Sequence, residues 1–456
     1  MNKNNKTIIF STLAFNQTLF YVKIAKKLIK NGFDVKFISF HQRSNKYITQ
    51  NNYEVFDVFK YQKKTSEADY LRIEKKYNIN LNRLISHEKY FYRESSSNKI
   101  LKKVTNYFFT IERILDKIEK DFNGKITIVH ELGGVSAIQV LFQISQYRKL
   151  DNLFLEPSFI KNRIFILKNM MNALQLNLAT TDAIRDEVKE YLELTIKNKE
   201  IVVPEKDKWR HGSTFQIVAN VRWYKRLVEK TFDKYIWGYK EEFNYILNWV
   251  TQHIRMIINR IRILPHYGKI QYKYIYFPLH VPADMALTVR APELLDQYTL
   301  IDYLARSIPI THKLVIKEHP AFVGGTEYNR IVSLLKTHDN IILSRPINNF
   351  DVVNNCDLLI TINSKAGVEA IVCGKPVIVL GDAFYKNAPL VSYIDDISKL
   401  KDAIPSSIKL CEKNIPETQI ENFIQAIWDN SILGEIYSLH DENINNISNS
   451  LIKFIS

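Results

Sequence analysis

A lysine and a histidine close one apolar run of this chain, and an asparagine–serine pair closes another; these are the groups best suited to hold a phosphate. The first run is Leu314-Val315-Ile316-Lys317-Glu318-His319-Pro320, and the second is Asp357-Leu358-Leu359-Ile360-Thr361-Ile362-Asn363-Ser364. Both have strand length and read as strands buried on both faces of a parallel sheet. In open parallel sheets ligands sit at the carboxyl ends of strands, where the amides of a following helix favour an anion. Lys317, His319, Asn363 and Ser364 are therefore expected along one sheet edge, with Gly367 permitting close backbone approach. Each has a plainer alternative. The histidine can be a buried structural residue, and Ser364 or Asn363 can simply cap a helix. Glu369 can serve the dipole of that helix.

The elements that would position these groups alternate along the chain. Thr7–Phe10 reads as a strand, followed by a helix from Thr18 and a strand at Asp34–Phe40, with Gly32 ending the helix. The intervening loop, Ala14-Phe15-Asn16-Gln17, lacks the glycine fingerprint of a dinucleotide site. Residues 43–95 show little periodicity and read as a helical insertion. Ser95-Ser96-Ser97 then precedes an amphipathic helix whose apolar residues Leu101, Val104, Phe108, Ile111, Leu115 and Ile118 step by three and four. Strands at Ile126–Val129 and Leu153–Leu155 end in two acids, Glu131 and Glu156, the first followed by Gly133-Gly134. Residues 159–270 hold Trp209, Trp223, Trp237 and Trp249 among many basic residues. Trp249–Ile263 reads as a basic helix that either rests on a membrane surface or links two domains, its isoleucines facing the core. From Tyr274 strands and helices alternate regularly, which predicts a parallel sheet with crossover helices.

The 456 residues exceed one ordinary core, so two domains are expected. The three cysteines, Cys356, Cys373 and Cys411, show no metal spacing and suit a reducing compartment. The polar start leads directly into a strand, no apolar stretch is long enough to span a bilayer, and a cytoplasmic protein is expected. The net charge of +15 is dispersed along the chain and comes with no nucleic-acid motif. Anionic substrates or an anionic membrane surface are the more useful partners to consider.

The segment Asp357–Tyr385, together with Glu318-His319-Pro320 and Phe277-Pro278-Leu279-His280, resembles the capsule polysaccharide biosynthesis family, which includes Kdo-transferase-like proteins. The resemblance implies an α/β fold of two Rossmann-like domains facing a cleft, the GT-B glycosyltransferase arrangement. It implies a first domain over residues 1–270 on the acceptor side, a nucleotide-sugar-binding domain over 271–415, and a helical tail over 416–456 returning to the first domain. His280 becomes a donor or acceptor contact with Asp284 as its partner, and Glu369 a group for ribose hydroxyls. The implied activity is transfer of Kdo or a sialic-acid-like sugar from a CMP-linked donor to a lipid-linked or saccharide acceptor. No cofactor or metal is expected beyond the nucleotide sugar, because no Asp-x-Asp pair follows a strand. Association with the inner face of the membrane is expected to be peripheral. Transfer needs a base or a nucleophile, and Glu131 then Glu156 are the candidates across the cleft. Alternatives are a CDP-glycerol or CDP-ribitol polymer transferase, a sugar-nucleotide epimerase, and a non-catalytic capsule-assembly protein.

Overall fold

A computed structural model describes residues 6–61, 63–92, 96–122, 124–178, 184–199, 203, 216, 218–243, 245–412 and 416–455. Ser95 and Trp209 lie outside the described residues, as does the Cys411 side chain.

The chain folds into two Rossmann-like α/β lobes. The first is built on β1 (Lys6–Thr12), β2 (Asp34–Ser39), β3 (Glu54–Asp57), β4 (Lys125–Glu131), β5 (Asp151–Pro157) and β6 (Arg163–Lys168). Its strand order is β13-β6-β5-β4-β1-β2-β3, where β13 is Ile432–Leu433 from the C-terminal tail. Strands β1 to β5 run parallel, β6 runs antiparallel to β5, and β13 antiparallel to β6. The second lobe contains β7 (Tyr274–Pro278), β8 (Lys313–Lys317), β9 (Ile341–Leu343), β10 (Leu358–Thr361), β11 (Val377–Val379) and β12 (Val391–Tyr393). They form one parallel sheet in the order β12-β11-β10-β7-β8-β9. Strands β7, β10 and β11 are buried at every residue, as a sheet covered by helices on both faces requires.

The interval 43–95 is not an insertion outside the sheet. It supplies β3, the edge strand beside β2, and the helix Ser86–Tyr92, which buries His87 and Glu88. The first helix begins at Phe15, one turn before Thr18. The helix of residues 97–121 buries the expected stripe from Val104 to Ile118, with Leu101 half-buried, and the Ser96 hydroxyl caps it by accepting from Lys99 N–H at 3.3 Å. After the second lobe the chain crosses back. The Glu417–Asp429 helix leads to β13, where the Arg163 guanidinium donates to the Trp428 carbonyl at 2.8 Å, and the Asp441–Ile455 helix packs on the first helix of the chain.

Candidate functional site

At the end of β7 the backbone of His280 is pinned by Gln297. The His280 N–H donates to Gln297 Oε1 at 2.7 Å, and Gln297 Nε2 donates back to the His280 carbonyl at 3.2 Å. Its ring accepts from the Asn363 N–H through Nε2 at 3.4 Å, so Nδ1 carries the proton of the neutral imidazole. That Nδ1 is buried without a hydrogen-bond partner among the described residues. Burial lowers the His280 pKa to about 4; Asp284 opposes the shift and the nearby His319 reinforces it. The ring is therefore neutral near pH 7, a donor aimed from a buried position.

His319 follows β8 and caps the turn Pro320–Phe322, its Nδ1 accepting from Ala321 N–H at 3.2 Å. That bond assigns the proton of the neutral ring to Nε2. The next strand end, after β10, carries Asn363 and Ser364. Asn363 Nδ2 donates to the Ala286 carbonyl at 2.6 Å and the Asp382 carbonyl at 3.4 Å, while its buried Oδ1 finds no partner among the described residues. The Ser364 N–H donates to Thr361 Oγ1 at 3.0 Å, and its Oγ accepts from Ala366 N–H at 3.2 Å, leaving the hydroxyl proton to donate. His280 thus stands between His319 and the Asn363–Ser364 turn, and three adjoining strand ends converge. Asp284 contributes electrostatically to both His280 and His87, and it caps the Met285–Thr288 helix through Ala286 N–H at 3.2 Å.

Three residues expected at this edge have other posts. Gly367 is required by packing rather than by ligand approach: a Cβ there would meet the Tyr385 ring at 2.5 Å. The Tyr385 hydroxyl donates to the Ser364 carbonyl and so holds the turn. Lys317 and Glu369 point into the protein. Lys317 is 1% exposed and donates to the Ile347 carbonyl at 3.0 Å, and burial lowers its pKa to about 8 against the attraction of Glu369. Glu369 accepts from Asn349 Nδ2, and burial raises its pKa to about 7, opposed by Asn349 and Lys317. The Tyr276 hydroxyl, donating to Asn349 Oδ1 at 2.6 Å, extends this network under the sheet. Asp296 is a helix cap, accepting from Tyr298 and Thr299 N–H.

Across the lobe boundary the two candidate carboxylates differ. Glu156 accepts a two-pronged pair from Arg290 at 2.8 and 2.9 Å, and Arg290 also reaches the Met171 carbonyl at 2.9 Å. So bound to a guanidinium of the other lobe, Glu156 serves as a lobe tether and not as an open base. Lys365 adds a tether to the Pro157 and Ser158 carbonyls at 2.9 Å each, and Asp382 accepts from Ala173 N–H at 2.7 Å. Glu131 ends β4, where the Tyr437 hydroxyl and Gln17 Nε2 both donate to its Oε2. Beside it Gly134 lies so close to His87 and Thr288 that a Cβ would come within 2.6 Å of both. The Thr288 hydroxyl donates to the Asp284 carbonyl at 3.2 Å and so accepts from His87 Nδ1 at 3.1 Å. Burial lowers the His87 pKa to about 4, opposed by Glu88 and Asp284. Sequence reasoning missed His87, Arg290 and Lys365. Only the Gly133-Gly134 pair hinted at a close approach there.

Residues 191–395, a little under half of the chain, match the profile of a family described as capsule polysaccharide biosynthesis protein. The resemblance read from Phe277–His280, Glu318–Pro320 and Asp357–Tyr385 is borne out, and the match extends upstream of these segments. A stretch of 133 residues, 29% of this chain, is 29% identical to Protein FixF of Sinorhizobium fredii (strain NBRC 101917 / NGR234). The match spans about a third (32%) of that relative's length. Among solved structures, the beta Kdo 2,7 transferase KpsC of Thermosulfurimonas dismutans is 17% identical over 80% of this chain and 98% of its own, with a TM-score of 0.35. The UDP-GlcNAc 2-epimerase of Neisseria meningitidis bound to UDP-GlcNAc is 14% identical over 98% of both chains, with a TM-score of 0.28.

Proposed function

We propose that the protein is a glycosyltransferase of capsule or other surface-polysaccharide assembly, moving a sugar from a nucleotide-activated donor to a saccharide or lipid-linked acceptor. One observation carries this reading: His280, His319 and Ser364 offer proton donors at three adjoining strand ends, inside the stretch that matches the capsule family. Such preorganised donors suit the phosphate of the donor and the charge that grows on it as the sugar departs. A CMP-linked acidic sugar of the Kdo or sialic-acid type is the proposed donor, in keeping with the family resemblance and the net charge of +15. Imidazole and hydroxyl donors would then do the work of a metal at the phosphate. Glu131 is the proposed carboxylate on the acceptor side.

A thermal-shift screen against CMP, CDP, UDP and GDP tests the reading, because a ligand that binds only the native state raises its melting point. CMP is expected to stabilise the protein with or without EDTA, and His319→Ala or Ser364→Ala to abolish the shift. Glu131→Gln is expected to keep the shift and lose transfer. Stabilisation by UDP alone would overturn the choice of donor, and no shift with any nucleotide would overturn the site.

A further inference from the structure

The helix Ile246–Arg262 turns a row of large apolar side chains outward. Leu247, Thr251, Ile254, Ile258 and Ile261 recur at spacings of four and three, which places them along one face. The four apolar members are 73%, 50%, 49% and 62% exposed. Of the two readings of this segment, the one that turns these isoleucines to the core is thereby corrected: the helix buries Ile246 at its start and, nearer its end, Asn259 and Arg260. Those two residues donate to the Thr326 carbonyl at 3.2 Å and the Val323 carbonyl at 2.9 Å, in the loop that follows His319. The helix is thus held through Ile246 and these two polar side chains, and the outward row is left to the surroundings.

Charge decides among the occupants of such a row. The helix contains Arg255, Arg260 and Arg262 and no acid, and Arg255 and Arg262 are exposed beside the apolar row, Arg262 over the Tyr328 ring. A seam between two copies would oppose arginine to arginine with no counter-charge. Nucleic acid would meet the arginines and leave the isoleucines in water. From Val221 to Arg262 the chain carries nine Lys or Arg against four Asp or Glu. The segment before this helix also exposes Phe232, Tyr235 and Trp237, side chains that settle at membrane interfaces. No helix among the described residues is long and apolar enough to cross a membrane. An amphipathic basic helix of this kind lies in the interface plane.

We propose that the outward face of the Ile246–Arg262 helix docks on an anionic lipid surface. Docking there would present the His319 loop, held by the same helix, at a fixed orientation to that surface. The inference stands apart from sugar transfer, since its readout needs no nucleotide.

Co-sedimentation with phosphatidylglycerol vesicles and with phosphatidylcholine vesicles, at low and high salt, tests it. The full chain should sediment with phosphatidylglycerol and not phosphatidylcholine, and salt should weaken the binding. Arg255→Gln with Arg262→Gln should weaken it about thirtyfold, at the usual contribution per surface cation. Ile254→Ser with Ile258→Ser should abolish it, and an unchanged melting point in both double variants would show that folding is intact. Equal sedimentation with both lipids, or none with either, would overturn the proposal. So would light scattering that shows a dimer which the isoleucine variants dissociate, for the row would then be a seam between copies.

Discussion

The strand ends of the two lobes differ at the carboxylates and imidazoles they carry, although Thr12 Oγ1, at the end of β1, is also buried without a partner among the described residues. On the first lobe Glu156 is saturated by Arg290, and Glu131 receives both Tyr437 and Gln17. On the second lobe His280 Nδ1 and Asn363 Oδ1 are buried with no partner among the described residues. Each such orphan costs about 1–3 kcal/mol relative to a satisfied group. A fold keeps such groups where something else completes them, which sets His280 and Asn363 apart from the Glu156–Arg290 tether; Glu131 is positioned by its own lobe and tethers nothing. His130 is the internal control. It is as deeply buried as His280, but Ser11 and Asn152 each engage one of its ring nitrogens at 3.0 Å.

The contrast can be broken most forcefully at its tether. Arg290→Ala leaves the half-buried Glu156 without its cation, and a loss of about 2 kcal/mol in urea unfolding is expected, below that of a fully buried broken pair. A loss well under ~1 kcal/mol would mean the lobes do not depend on this pair. At the binding side, His280→Ala should weaken nucleotide binding roughly tenfold to a hundredfold by calorimetry, the usual range for a hydrogen bond to a charged group. It should change stability little. His130→Ala should do the reverse.

Acid sharpens the comparison next. Burial holds His87, His130 and His280 at about 4, below the ordinary imidazole value of 6.5. The unfolded chain therefore binds more protons between these values, and stability falls as pH drops from about 6.5 toward 4. Melting temperatures across that window should decline steeply; a flat profile would contradict neutral buried rings. The smallest effect is expected at Glu369, whose folded value of about 7 lies above its ordinary 4.5. Its contribution is full below about 4.5 and is lost as pH rises through 7, so it opposes the histidine trend, and Glu369→Gln should make the rise in melting temperature between about pH 4.5 and 7 steeper.

Much of the second lobe was legible because its strands are unbroken apolar runs. Lys313–Lys317 and Leu358–Thr361 lie on the two apolar runs that the sequence marks as strands. β3 carries no comparable signal, since Glu54–Asp57 is half polar and lies at an edge; β6 does carry one, the apolar run Ile164-Phe165-Ile166-Leu167, which is easily passed over inside the tryptophan-bearing, basic interval 159–270. At the site, proline after His319 and the small polar turn at Asn363-Ser364 marked strand ends directly. The side to which a strand-end residue points was not marked. Lys317 turns inward because Glu369, distant in sequence, can meet its charge there, and only the fold brings the two together. The partner of Glu156 was hidden for the same reason, since Arg290 belongs to the other lobe.

On the proposed function, the buried ring of His280 and the neighbouring His319 and Ser364 receive the phosphate of the nucleotide sugar. Imidazole nitrogen-15 resonances recorded during a CMP titration test it most directly. The Nδ1 signal of His280 is expected to move with saturation while that of His130 stays in place. A His280 signal indifferent to bound nucleotide, or one moving no more than that of His130, would contradict it.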